Sequence, residues 1–259
     1  MPASANSVLI TGTTSGIGRA LLEHYAKAGA TVISVNRRRV PELEAQFPSV
    51  RFECVDIRDT DRVAGLVRSL AASNALPDTF ILNAGINRVD NDESFQVSVY
   101  KEVVDTNLYG VLNFVEPLTQ VPATAPRHIV AISSMASTVG NPYGLGYHTS
   151  KKALTACFAT WSRMYAETNL VFQRVMLGPV RTQIYTMEDR FPAWMVWMKN
   201  AFTASLSGTV HAIARFAQTR SPSLVYPPQA RPLYVGMWLG QRLVPGLFQG
   251  RKTLDGKKR

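Results

Sequence analysis

The sequence predicts an α/β fold built on a doubly wound parallel sheet of about seven strands with helices on both faces. Three observations carry that reading. Short β-branched runs alternate with segments of helical period, the pattern that builds a parallel sheet. Most of the strand-like runs are continuously apolar, as strands covered on both faces require. A glycine-rich loop joins the first strand to the first helix.

In chain order, strands are expected at 8–11, 31–35, 50–55, 79–82, 128–132, 171–176 and 224–226. After the first strand, Ile17, Leu21, Tyr25 and Ala28 share one helical face, and Gly29 follows as a stop. Val63, Leu66, Val67 and Leu70 form the next stripe, entered from Asp59 and Thr60. A long helix is marked by Val99, Val103, Val104, Leu108, Val111, Leu112 and Val115, and another runs over about 147–167. The predicted organisation is a single domain over 1–226, including a substrate lid at about 183–207, followed by a basic, apolar extension over 227–259.

Composition agrees with a globular chain: 259 residues, 46% hydrophobic and 18% charged, enough to bury a core without staples. Cys54 and Cys157 match no metal-ligand spacing, so no metal site is expected and both read as reduced thiols. No apolar run has the length to span a bilayer. The strand at residue 8 leaves no room for a secretory signal, so the expected location is the cytoplasm. Net charge is +10, but residues 220–259 hold eight basic side chains and one acid, leaving only +3 for the first 219. The body is therefore no nucleic-acid platform, and no nucleic-acid partner is expected.

The loop Thr11-Gly12-Thr13-Thr14-Ser15-Gly16-Ile17-Gly18 opens a helix directly after a strand. Glycines let backbone approach a pyrophosphate, and the helix N-terminus offers free N–H groups and a favourable dipole. The site expected there is for a dinucleotide, which makes the fold Rossmann-like, with Gly12, Thr14, Ser15, Gly16, Ile17 and Gly18 in contact. The second strand ends at Asn36-Arg37-Arg38-Arg39, with no carboxylate to take a ribose hydroxyl. Guanidinium groups bind a 2′-phosphate, so the expected cofactor is NADP(H), held by Arg37 first and Arg38 second. Asp56 is placed to accept from an adenine amino group, with Ile57 against the ring.

Tyr147 and Lys151 stand four apart, on one face of a helix. A nearby ammonium favours phenolate, which lowers a tyrosine pKa of about 10 toward a useful range. Ser134 closes the fifth strand, at the strand end where α/β sheets place ligand chemistry.

With these residues the chain resembles the short-chain dehydrogenase/reductase family, of the compact single-domain kind. Besides Thr11–Gly18, Ser134 and Tyr147-x-x-x-Lys151, the matches are Asn83-Ala84-Gly85, Asn107 and Gly178-Pro179-Val180-Arg181-Thr182. The resemblance covers about residues 7–226. Leu177 departs from the proline usual before that glycine. The resemblance implies that Tyr147 is the general acid and base, and that Lys151 lowers its pKa and binds the nicotinamide ribose. It implies that Ser134 polarises the substrate oxygen and that Asn107 supports a water chain to Lys151. Asn83, Ala84 and Gly85 would line the cofactor near the adenine ribose, and Val180 and Thr182 would meet the nicotinamide carboxamide. It also implies a homodimer or homotetramer paired through long helices.

Downstream of Thr182, a segment rich in Trp, Met and Phe reads as a lid that favours a bulky lipophilic substrate, or as packing. The tail reads two ways. Trp238 and its apolar neighbours among arginines suit the surface of an anionic membrane, and equally a cover for the enzyme's own site. The expected activity is reduction of a ketone by hydride transfer. The alternatives are oxidation of the alcohol, or an NADP-sensing protein without turnover.

Overall fold

The computed structural model describes residues 7–90, 94–138, 144–181, 202–232 and 234–236. Seven parallel strands form one sheet: β1 (Ser7–Thr11), β2 (Thr31–Asn36), β3 (Arg51–Cys54), β4 (Thr79–Leu82), β5 (Arg127–Ser134), β6 (Leu170–Leu177) and β7 (Ser223–Tyr226). Their spatial order is β3-β2-β1-β4-β5-β6-β7. The order reverses between β1 and β4, and ligands of open α/β sheets bind at such a crossover. The registers Val8↔Val32 and Val8↔Thr79 bring the ends of β1, β2 and β4 to the same edge. All seven expected strands are present, most of them within a residue or two of the expected bounds.

Continuous apolar runs give each strand two buried faces, and so two cores. On one face Leu9, Val35, Phe80, Ile129 and Phe172 pack against α3 (Thr60–Ala72), α5 (Gly110–Gln120) and α6 (Leu145–Met164). On the other, Val8, Ile10, Ile81, Val130 and Val175 meet α1 (Gly16–Lys27) and α7 (Leu206–Phe216). The odd and even positions of the same strands divide between the two cores, as the two-residue period of a strand requires.

Two helices escaped the sequence reading. The short α2 (Pro41–Gln46) starts with proline, whose fixed φ suits a first helical position. Helix α7 begins inside the segment expected to be lid. Ser205 caps it by accepting from the Gly208 N–H at 3.1 Å, and Val210, Ile213 and Ala214 bury one face. The long helix expected across Val99–Val115 is not one regular helix. It is α4 (Val97–Val104), a π-helical turn over Asp105–Tyr109, and α5. The apolar period runs through both flanks, and only the side-chain bonds of Asn107, described below, give the turn a reason. Among the described residues, no helix is long and apolar enough to cross a membrane.

Candidate active site

The glycine loop is held from both neighbouring strands. Gly12 adopts φ +72°, and its N–H donates to the Val35 carbonyl at 2.9 Å. A Cβ on Gly12 would fall 2.8 Å from Ala84 Cα, and one on Gly18 would strike the Gly12 carbonyl oxygen. Asn83 Nδ2 donates to the carbonyls of Thr11 and Gly12 at 3.1 and 3.2 Å. Thr11 Oγ1 in turn accepts the N–H groups of Asn83 and Ala84, each at 3.0 Å. The loop and Asn83-Ala84-Gly85 are thus one unit. Thr14 and Ser15 are exposed, and Ser15 enters α1 without a side-chain cap. The first turn of α1 carries no acid. This cradle fits a pyrophosphate: glycines clear the approach, and free helix N–H groups face it. Ile17 is half-buried against the second core.

The end of β2 is more specific than its sequence suggested. Asn36 is buried and turns inward. Its Oδ1 accepts the Thr13 N–H at 2.9 Å, and its Nδ2 donates to Thr13 Oγ1 and Ser34 Oγ, both at 2.9 Å. The residue where a ribose-binding acid would stand is therefore spent on the loop. Arg39 is ion-paired with Glu44. Arg37 and Arg38 are exposed. Arg38 lines a cavity of about 260 Å³ with Asn36, Phe52 and Cys54, whereas Arg37 lies close enough to Asp56 to help hold its carboxyl below the usual range. The main cause of that depression is Arg58, whose guanidinium binds both Asp56 oxygens. Asp56 thus stays anionic and already carries a partner. Ile57 differs from its expected placement. Its side chain is buried against Gly110, where a Cβ would fall 2.5 Å from Ile57 Cδ1, and Asn113 Nδ2 holds its carbonyl at 2.9 Å. Core packing claims that side chain, and only its backbone is left to face a ring.

At the other end of the groove, β5 and α6 bring Ser134, Tyr147 and Lys151 together. Ser134 lies near enough to Tyr147 to draw its phenol pKa down, and its Oγ accepts the Ala136 N–H at 3.1 Å and donates to the Leu177 carbonyl at 3.4 Å. Lys151 is buried, its Nζ donates to the Ile132 carbonyl at 2.8 Å, and it lies 5.9 Å from the centroid of the Tyr147 ring. Burial pushes the Lys151 pKa down to about 8. Burial also pushes the Tyr147 phenol up, and Ser134 pulls it only part of the way back. The expected lowering of the phenol by Lys151 is thus corrected for the protein alone: burial sets the direction, and Lys151 is not among the causes of the shift. Ser133 is structural, bonded to Thr155 Oγ1 at 2.7 Å.

Asn107 sits in the π-helical turn, fully buried. Its Oδ1 accepts the Ile86 N–H at 2.7 Å, and its Nδ2 donates to the Ile86 carbonyl at 2.8 Å and Ser150 Oγ at 3.2 Å. A Cβ on Gly85 would meet both Asn107 Oδ1 (3.1 Å) and Lys151 Nζ (3.5 Å), so the three converge on one point. Val180 is buried and bridges Ala204. Thr182 and the expected lid up to residue 201 lie outside the described residues, as does the tail beyond Gly236. Sequence reasoning missed the inward bonds of Asn36. Its spacing signals no role, because it acts through Thr13, 23 positions away in the chain.

A model of the family described as short chain dehydrogenase matches residues 6–191. The 3-oxoacyl-[acyl-carrier-protein] reductase FabG of Thermotoga maritima is 29% identical over 71% of this chain and 76% of its own. An NADPH-dependent pterin aldehyde reductase of Arabidopsis thaliana is 31% identical over 61% of this chain and 65% of its own. A solved structure of a short chain dehydrogenase from Burkholderia cenocepacia, in complex with NADP, superposes with a TM-score of 0.76 at 19% identity, covering 96% of this chain and all of the other.

Proposed function

Since this chain belongs to the short-chain dehydrogenase family, a family of oxidoreductases, we propose that it is an NADP(H)-dependent carbonyl reductase, with Tyr147 as general acid in reduction and base in oxidation. The observation that carries the reading is the convergence of Ser134 and Tyr147 beside the buried Lys151, at the sheet edge that also holds the glycine loop.

The cofactor supplies the hydride when bound. Gly12, Thr14, Ser15, Gly16, Ile17 and Gly18 hold its pyrophosphate, and Asn83, Ala84 and Gly85 the adjoining ribose. Arg37, with Arg38 second, takes the 2′-phosphate, because the third arginine is already paired. Asp56 and the Ile57 backbone meet the adenine, and Val180 and Thr182 the carboxamide. Ser134 Oγ donates to the substrate oxygen, and Tyr147 Oη delivers the proton there. A phenol whose pKa lies above its ordinary value stays protonated at neutral pH, which suits the reductive direction. Lys151, at about 8, is mostly charged at pH 7 and serves to hold a ribose hydroxyl and to favour phenolate as the proton leaves.

The substrate is a bulky lipophilic ketone or its alcohol. The support is the apolar, aromatic character of the lid sequence and the names of two relatives, which specify carbonyl reductions. The assembly is a homodimer or homotetramer. Phe95, Val97, Tyr109 and Met164 are exposed on or beside α4 and α6, at 50%, 67%, 53% and 68%, and a partner copy would cover them. The tail covers the site or touches anionic membrane. The location is cytoplasmic.

The test is consumption of NADPH with a panel of aliphatic, aromatic and polycyclic ketones. Wild type turns over a lipophilic member, and Tyr147→Phe loses on the order of 10³-fold in kcat with cofactor affinity retained. Tight NADPH binding without turnover on any ketone or aldehyde would leave a cofactor-sensing protein instead.

A further inference from the structure

Helix α6 carries Tyr147 in its first turn, three residues after its N-cap. That turn lacks the ordinary device for holding a helix start. The N-cap is Gly144, which has no side chain to accept the orphan N–H groups. The acceptor comes instead from a residue more than fifty positions earlier. Asp90 is completely buried. Its Oδ1 accepts the Leu145 N–H at 2.7 Å, and its Oδ2 accepts the Gly146 N–H. Its main-chain carbonyl takes the Gln96 N–H at 2.7 Å, just ahead of α4.

The fit is close. A Cβ on Gly146 would stand 2.8 Å from Asp90 Oδ2 and 3.0 Å from the Tyr100 carbonyl oxygen. Glycine at 146 thus lets the carboxylate and the α4 backbone approach the helix axis together. Four residues before Asp90, Ile86 is fastened to Asn107 through both its N–H and its carbonyl. The segment from 86 to 90 is therefore tied at one end to Asn107 and at the other to the turn that bears Tyr147.

We propose that Asp90 is a positioning residue for Tyr147. It fixes the rotation and depth of the first turn of α6, and with them the place of the phenol oxygen against Ser134. The two bonds land on consecutive N–H groups, at Leu145 and Gly146, and Tyr147 is the next residue. A buried carboxylate needs such donors to stay buried, and the donors have Asp90 as their acceptor, so each side holds the other. Misplacing a reacting group by about 1 Å costs on the order of 10²-fold in rate. The chemical role of Tyr147 rests on the reading in the previous subsection. The placement of the turn by Asp90 does not.

The experiment compares wild type, Asp90→Asn, Asp90→Ala, and Asp90→Ala combined with Gly144→Asp. Asn keeps the shape but offers one acceptor where two are used. Asp at position 144 restores a local cap without restoring the link to the 86–96 segment. Steady-state kinetics with NADPH and the best ketone, NADPH affinity by fluorescence, and melting temperature are measured on each. Asp90→Asn and Asp90→Ala should each lower kcat by roughly 30- to 100-fold, with the NADPH Kd within about twofold of wild type. The Gly144→Asp addition should recover melting temperature and leave most of the kcat deficit. Unchanged kcat in a folded Asp90→Asn protein overturns the proposal. Full recovery of kcat along with stability in the double variant also overturns it, since a helix cap alone would then suffice. Amide hydrogen exchange over residues 144–150 needs no turnover, and so separates this inference from the functional one. Faster exchange in that turn in Asp90→Asn, with the rest of α6 unchanged, supports it even if no ketone is ever reduced. Unaltered exchange there counts against it whatever the substrate proves to be.

Discussion

The glycine-loop end and the Tyr147 end of the groove are held by different kinds of bond. Around Gly12, most contacts are backbone to backbone, or short polar side chains to backbone: Gly12 to Val35, Asn83 to Thr11 and Gly12, Thr13 to Asn36. None of those groups is ionised. Around Tyr147, itself half-buried and near Ser134, two buried ionisable groups are held by partners from other elements: Lys151 by Ile132 and Asp90 by the start of α6. The first end can be rigid without electrostatic cost. The second keeps Lys151 and the Tyr147 phenol away from water, which perturbs those two pKa values and makes that end depend on pH.

Three changes should sharpen that contrast. The largest effect is expected at the exposed rim of the glycine-loop end, where Arg37 stands. Arg37→Asp should weaken NADPH binding by about 4 kcal/mol, roughly a thousandfold, while the affinity for NADH changes little. Dissociation constants for both cofactors decide it, and equal NADPH affinity in the two proteins removes Arg37 from that role.

The next effect belongs to the Tyr147 end. Lys151 titrates at about 8 in the folded protein, below its unfolded value of about 10.4. Between those values the unfolded chain binds the extra proton, so stability rises with pH. This contribution is complete above about pH 10.4 and absent below about 8, and amounts to roughly 3 kcal/mol. Denaturant unfolding of the protein without cofactor should show the rise, and Lys151→Met should flatten it. An identical pH profile in the variant would show that Lys151 is less buried than the structure has it.

The smallest effect returns to the glycine loop. Asn36→Ala leaves the buried Thr13 N–H without its acceptor, at a cost of about 2 kcal/mol with no dependence on pH. Melting temperatures at two pH values test this. A loss that varied with pH would place an ionised group in this network of amides and hydroxyls.

How far each end could be read beforehand follows the same division. The glycines, the Asn83-Ala84-Gly85 turn and the Tyr147/Lys151 pair are legible because they depend on short-range spacing. Lys151 follows Tyr147 by one helical turn, and Gly12, Gly16 and Gly18 bracket one strand-to-helix turn. Helix α7 was hidden behind an aromatic stretch, although Ser205 and Gly208 already carry its cap.

By itself, then, the sequence determined the parallel sheet, its strand positions and the family to which the chain belongs. Alternation and local spacing encode these directly. Only the tertiary structure decided what the candidate site residues are free to do. It turned Asn36 inward and left Arg37 at the rim, and it buried Ile57 against Gly110. It broke the long helix at Asn107 and placed Asp90 under the start of α6. The physical reason is common to all of these. A buried polar or charged group must find its partner wherever the fold supplies one, and that partner is usually distant in the chain.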